Sequence, residues 1–208
     1  MRVRTEAKRD AIVEAAAAVF RESGFEGASM AEIASRVGGS KATLYGYFGS
    51  KEDLFIEVMH GQAKSHFDPI FAALENDHED LRQALQRFGE RTLTVLCKEA
   101  PIQTRRTVIA ESGRSDIGRR FYESGPKKGL IELGKFLSRQ MELGKLRHAD
   151  PLVVASHLTA LLDSETITAR VFGLEAQLSR KFIKDATARA LETFFAGYAP
   201  TPIATDGG

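Results

Sequence analysis

Between residues 29 and 51 the chain gathers side chains of the kinds that hold a phosphate backbone: Ser29, Ser40, Lys41, Thr43, Tyr45, Tyr47 and Lys51. Hydroxyl and ammonium groups donate to phosphate oxygens, and such contacts fix the register of a protein on a duplex without reading its bases. Ser29, Tyr45, Tyr47 and Lys51 suit that work, together with the amide end of a helix beginning near Lys51. Lys41 and Thr43 are better suited to base edges, the ammonium on guanine O6 and N7 and the threonine methyl against thymine. Gly46, between the two tyrosines, leaves room for close approach. The run SKATLYGYFGSKEDLF, Ser40 to Phe55, therefore predicts a surface that meets phosphate on both flanks of a groove.

Such a surface needs elements that put these residues on one side. The spacing predicts a first helix from Glu6 to Ser23, with Ile12, Ala15, Ala16, Val19 and Phe20 in one stripe and Gly24 placed to stop it in a left-handed residue. Ser29-Met30-Ala31-Glu32 has the pattern of a capping box and opens a short second helix that ends at Gly38-Gly39. Ser40 caps a third helix of about two turns, and the same pattern at Ser50 to Asp53 opens a fourth. That fourth helix runs through Leu54, Phe55, Val58 and Met59 and is expected to bend or end near Asp68-Pro69. Two short helices joined by a glycine turn form a helix-turn-helix, whose second helix lies in the DNA major groove. Ile33, Ala34, Val37 and Leu44 fall at its buried positions, and Gly38 falls in the turn where a left-handed residue is needed.

Beyond Asn76 the apolar spacing lengthens. Leu81, Leu85, Phe88, Thr92, Val95 and Leu96 predict one amphipathic helix, a second is expected near Pro101, and Pro126 to Gly144 carries Leu130, Leu133, Leu137 and Met141. Asp150-Pro151 reads as an N-cap followed by proline at the first helical position, closing at Gly173, and Ser179 caps a last helix. The fold class is all-α, a three-helix head followed by five or six longer helices. Expected divisions are a helix-turn-helix domain over 1–51, a larger helical domain over 52–198 and a mobile tail over 199–208.

A net charge of +1 excludes a uniformly basic nucleic-acid coat, so any polyanion must be met by a local patch. No apolar run approaches the roughly 18 residues of a membrane span, and Met1-Arg2-Val3-Arg4 leads into charge and alanine instead of a signal core, which places the chain in the cytoplasm away from membranes. The single Cys97 has no internal disulfide partner and sits in apolar sequence, as core filler. No phosphate loop, Ser-His-Asp set or paired acids with metal spacing occurs, and His60, His66, His78 and His148 are scattered, so neither an enzyme nor a cofactor site is expected. His157, Asp163 and Glu165 interrupt an apolar helix, as polar pocket groups or an interface network, and their spacing makes a poor metal face.

The stretch GFEGASMAEIASRVGGSKATLYGYFGSKEDLF, Gly24 to Phe55, resembles the DNA-binding domain of the TetR/AcrR transcriptional regulators. The stretch RTVIAESGRSDIGRRFYESGPKKGLIELGKFLSRQMELGKLRHADP, Arg106 to Pro151, is similar to the C-terminal domain of the AefR-like branch. The resemblance implies an all-helical homodimer whose two heads bind a palindromic operator in double-stranded DNA, with Ser29, Ser40, Lys41, Thr43, Tyr45, Tyr47 and Lys51 at the contacting positions. Gly39 stands where the family usually has a branched apolar residue, and Ala42 where glycine is common. The family's cavity lies between the fourth helix and the middle helices, which makes Phe67, Phe71, Phe88, Thr92, Val108 and Phe121 candidates for a small hydrophobic effector. Leu158, Leu161, Leu162 and Phe172 on one long helix, with Phe194 and Phe195 on the last, are the expected dimer surface, two helices from each subunit forming a four-helix bundle. Repression is the family default. A constitutive DNA-binding regulator without an effector is the alternative.

Overall fold

The structure, a computed structural model, describes residues 5–75, 80–174 and 177–200, apart from the side chain of Gln62. His78 and the tail from Thr201, expected to be mobile, lie outside the described residues. Among the described residues eleven helices follow one another: α1 (Glu6–Gly27), α2 (Met30–Arg36), α3 (Lys41–Tyr47), α4 (Lys51–Ala72), α5 (Leu81–Leu96), α6 (Glu99–Glu111), α7 (Ile117–Ser124), α8 (Pro126–Glu142), α9 (Pro151–Ser164), α10 (Ile167–Val171) and α11 (Arg180–Tyr198). A 3₁₀ turn over Ala73–Glu75 follows α4, and no strand occurs among the described residues. The fold is all-α.

The helix starts follow the caps read in the sequence. Ser29, Ser40 and Ser179 each accept from the amide three residues on, Glu32, Thr43 and Phe182, at 3.1 Å. Ser50 takes the amide of Asp53 at 3.0 Å, and Asp150 takes those of Leu152 and Val153. Each satisfies amides that the first turn leaves unpaired. Gly24, Gly38 and Gly173 all adopt positive φ, at 70°, 64° and 76°. Gly24 breaks α1 as expected, and the chain then makes one further turn to Gly27. The fourth helix does not stop at Asp68-Pro69. It continues to Ala72, because Pro69 falls in its last turn, where Ile70 and Leu74 just beyond it are buried and hold the backbone helical.

The chain forms two compact units, one from 1–65 with 106–125, the other from 66–105 with 126–208. The first unit thus includes the start of α4 and returns for the end of α6 and all of α7, a grouping that a division at Lys51 does not describe. Its core contains Ile12, Val19, Ile33, Leu44 and Leu54, with Val108 and Ile117 from the returning segment. Phe20, Phe25 and Phe55 meet in it as an aromatic trio, with ring centroids 4.9 to 6.1 Å apart. In the second unit α11 packs on α5 and α9, and α9 on α8. Leu85, Leu93, Ile102, Leu137, Leu158 and Phe194 fill its centre.

Gly89 marks a close approach of helices in the second unit. A β-carbon on Gly89 of α5 would lie 2.6 Å from Thr187 Cγ2 and 3.0 Å from Leu162 Cδ2. Thr187 is fully buried and its hydroxyl donates to the Ile183 carbonyl at 2.8 Å, so it cannot turn aside without losing that bond. Gly89→Val is expected to destabilise the chain by about 1–3 kcal/mol through overpacking, measured by urea denaturation; an unchanged midpoint would show that α5 and α11 are less tightly apposed.

Candidate nucleic-acid interface

Two seven-residue helices, α2 and α3, carry the candidate surface. Both fall under the roughly 12–15 residues that an isolated helix needs in water. Burial holds them: Met30, Ile33 and Ala34 of α2 and Leu44 of α3, followed by Phe48, point into the first unit's core. The helical period then puts Lys41, Ala42 and Tyr45 on the opposite face, where all three are exposed. Gly38 makes the turn, and the Gly39 amide closes it on the Ala34 carbonyl at 2.9 Å. A β-carbon on Gly39 would lie 4.0 Å from that carbonyl, so the room for a β-carbon does not explain the glycine there.

The polar groups of this surface are already ordered. Ser40 Oγ accepts from the Thr43 amide and lies 2.9 Å from Thr43 Oγ1, which ties the threonine hydroxyl to the cap and leaves its methyl as the unengaged part. Tyr45 is 47% exposed. The Tyr47 hydroxyl oxygen accepts from the Thr5 amide at 3.1 Å, joining the end of α3 to the start of α1 and leaving its own O–H to donate. Lys51 is half-buried, with Nζ donating to the carbonyls of Phe25 and Ala28 at 2.8 and 3.2 Å.

Other contacts, most of them between residues far apart in the chain, hold the same surface. Lys8 Nζ donates to the Val37 carbonyl at 3.0 Å, giving the C-terminal end of α2 a cation where its carbonyls are unpaired. Arg36 of α2 grips Glu22 of α1 through two bonds of 2.9 and 2.6 Å and reaches Glu32 at 3.1 Å. The guanidinium holds the Glu22 carboxyl below its ordinary range, chiefly by the hydrogen bond. Arg9 pairs with Glu57 at 2.8 Å and lies over the Phe48 ring. Arg120 of α7 pairs with Asp53 in the first turn of α4.

The six residues expected around an effector divide between the two units. Phe88 is buried in the second unit's core, Phe67 and Phe71 pack half-buried against that core, and the Phe71 and Phe88 rings stand 5.5 Å apart. Thr92 Oγ1 is buried there without a hydrogen-bond partner. Val108 and Phe121 instead belong to the first unit's core, because the end of α6 and α7 fold into that unit. Two grooves open on the second unit. One, of about 560 Å³, is floored by Phe71, Leu74 and Phe136 and rimmed by Glu75, Glu132, Lys135 and Arg139. The other, of about 380 Å³, has Pro69, Ile70 and Val95 with Glu90, Arg91 and Thr94. Phe71 alone of the six lines either.

The expected dimer residues also divide. Leu158, Leu162 and Phe194 are 1%, 4% and 1% exposed within the single chain, so its own core already covers them. Leu161 and Phe195 are half-buried against that core, whereas Phe172 is 77% exposed, with Leu174 beside it at 76%. Leu152 and Val153 at the start of α9 are exposed too. The polar residues of α9 and its C-cap take separate partners: His157 Nδ1 lies 2.5 Å from the Tyr198 hydroxyl, Asp163 pairs with Arg105 at 3.1 Å, and Glu165 with Arg189. Burial pushes the Asp163 carboxyl up against the pull of Arg105, while the Arg189 hydrogen bond draws Glu165 down. Cys97 is buried, which pushes its thiol up and keeps it protonated.

Residues 83–200 match the family described as the AefR-like transcriptional repressor, C-terminal domain, and residues 12–58 match the bacterial regulatory proteins of the tetR family. The chain is similar to a solved TetR-family transcriptional regulator from Mesorhizobium loti, with 30% identity, a TM-score of 0.83, and coverage of 95% of this chain and 100% of that one. It is likewise similar to the structure of the flavonoid-responsive regulator FrrA, 31% identical with a TM-score of 0.74, over 94% of this chain and 99% of that one. Among curated proteins it is 38% identical over 80 residues to the HTH-type transcriptional repressor NicS of Pseudomonas putida, a stretch that is 38% of this chain and 37% of that protein.

The Glu22 and Arg36 pair sets a pH dependence. A carboxyl whose folded value is depressed contributes stability above its unfolded value of about 4.3 and loses it as pH falls through the folded value. Glu22→Gln is therefore expected to lower the melting temperature near pH 7, with a deficit that shrinks as pH falls below about 4.3; a deficit that stays constant as pH falls would assign the loss to something other than the ion pair.

Proposed function

This chain belongs to the tetR family of bacterial regulatory proteins, with a C-terminal domain of the AefR-like type, and on that premise we propose that it is a homodimeric repressor that binds a near-palindromic operator and is released by a small hydrophobic effector. The observation that supports it most is the outward face of α3: Lys41, Ala42 and Tyr45 exposed on a helix whose other face is locked into the core, with a capped start and a glycine turn before it. In this reading Ser29, Ser40, Tyr45 and Tyr47 meet phosphates, and Lys41 and Thr43 meet bases.

One short helix touches few bases, and salt-sensitive phosphate contacts supply most non-specific affinity. A two-fold dimer doubles the reading surface, with operator half-sites spaced to match the two heads. The exposed apolar residues Leu152, Val153 and Phe172 are the side chains of α9 and the turn after α10 that a second copy would cover. For the effector, the support is the aromatic group of Phe67, Phe71 and Phe88 with the unpartnered Thr92 hydroxyl, together with the flavonoid-responsive character of one relative. Helices α4 and α6 each pass from one compact unit into the other. An effector that favours one tilt of α4 would weaken operator binding by the factor by which the operator weakens effector binding. The dispersal of the six candidate pocket residues favours a second reading, a regulator that binds DNA without an effector.

Selection of bound sequences from random duplex DNA, followed by a screen of flavonoids and other small aromatic compounds against the best site, separates these readings. An enriched palindrome released by a compound is the expected result, an enriched palindrome that none releases favours the second reading, and no enrichment overturns both. On the selected duplex, Lys41→Ala and Thr43→Ala are expected to relax preference by about 1–3 kcal/mol at particular base pairs, whereas Tyr45→Ala weakens operator and unrelated DNA alike. Equal losses on both DNAs from all three substitutions would contradict this division of roles.

A further inference from the structure

Residue type and position put Lys51 among the phosphate ligands, yet its ammonium is already engaged. An ammonium carries three N–H donors. Two of them are placed on the carbonyls of Phe25, at 2.8 Å, and Ala28, at 3.2 Å, and Nζ stands 4.3 Å from the centroid of the Phe25 ring. Phe25 is itself held in the aromatic trio with Phe20 and Phe55, so the ring under the ammonium belongs to the core.

The two carbonyls lie at the end of α1, where a helix leaves its last acceptors unpaired and carries partial negative charge. The last turn of α1 contains no basic residue to answer that charge. Lys51, 23 and 26 residues further along the chain, supplies the cation from the start of α4. The Ala28 carbonyl is one end of the planar peptide whose other end is the Ser29 amide. Holding that carbonyl therefore fixes the plane from which Ser29, the cap of α2, projects.

We infer that Lys51 serves DNA binding as a positioning residue: its ammonium clamps the turn between α1 and α2 through the Phe25 and Ala28 carbonyls, and so sets the Ser29 cap, instead of neutralising a phosphate of its own. This rests on the reading of the chain as a DNA-binding regulator. A phosphate that took Lys51 directly would have to draw it from two acceptors and an aromatic face, and would release the turn that presents Ser29.

The test uses the full chain, the duplex recovered by selection, and Lys51→Met, which keeps the stem and removes the donors. The expected result is an affinity loss of roughly tenfold at every salt concentration, with the slope of log affinity against log salt equal to that of the unsubstituted chain, and faster amide exchange at Ser29, Met30 and Glu32 in the free protein. A phosphate ligand lost by substitution lowers that slope by about 0.9; such a drop, with Ser29 exchange unchanged, would overturn the inference. A readout independent of any variant is the Lys51 ammonium resonance of the unsubstituted chain on DNA. It is expected to stay protected and uncoupled to phosphorus, and a 31P coupling would overturn the inference. Failure of the unsubstituted chain to hold any duplex would defeat the functional reading and this inference together, whereas a lowered slope defeats this inference alone.

Discussion

The first unit depends on one constraint: α2 and α3 are too short to be helices by themselves, and the outward face of α3 must stay polar. Stability has to come from one face and from the ends. Ile33 and Leu44, both fully buried, supply the face, each contributing about 1.5–3 kcal/mol of transfer free energy. The ends are tied to neighbouring helices: the Val37 carbonyl to Lys8, the Tyr47 hydroxyl to the Thr5 amide, the Ala28 carbonyl to Lys51, and Arg36 to Glu22. These ties limit the ordering that DNA binding would otherwise have to impose, because a surface that is already rigid loses less entropy when it docks.

The second unit solves a different problem. Its long helices bury enough apolar surface to close a core within one chain, which is why Leu158, Leu162 and Phe194 are inaccessible to a partner. Apolar side chains open to contacts outside the chain include Phe172, Leu174, Leu143, Leu152 and Val153 on the surface, and two grooves lie beside α4. The salt bridges of α9 and its C-cap, Asp163 to Arg105 and Glu165 to Arg189, brace the bundle and form no convergent polar site.

Features that depend on neighbours in the chain were legible in the sequence. The caps at Ser29, Ser40, Ser50, Asp150 and Ser179 and the left-handed residues at Gly24 and Gly38 each need only three or four adjacent residues, and all occur as read. The helix read from Pro151 to Gly173 instead ends at Ser164, and Phe172 follows the separate short helix α10. The ties of Lys8, Arg36, Arg120 and Lys51 join residues 14 to 67 positions apart, and nothing in a local pattern distinguishes a lysine that holds a carbonyl from one in solvent. Phenylalanine spacing fails for a related reason: the same period serves a packed core and a cavity wall, so Phe88 reads alike in both. Val108 and Phe121 belong to the first unit's core because α7 and the end of α6 return to it, and that return follows from tertiary packing alone.

If the hairpin held by these ties is the surface that meets DNA, binding must slow the exchange of its backbone amides. Hydrogen exchange of the full chain, measured with and without its selected duplex, tests it most directly. Slowed exchange is expected from Ser29 through the first turn of α4, with the second unit's core unchanged. Protection that appears elsewhere while α2 and α3 exchange as before would contradict it.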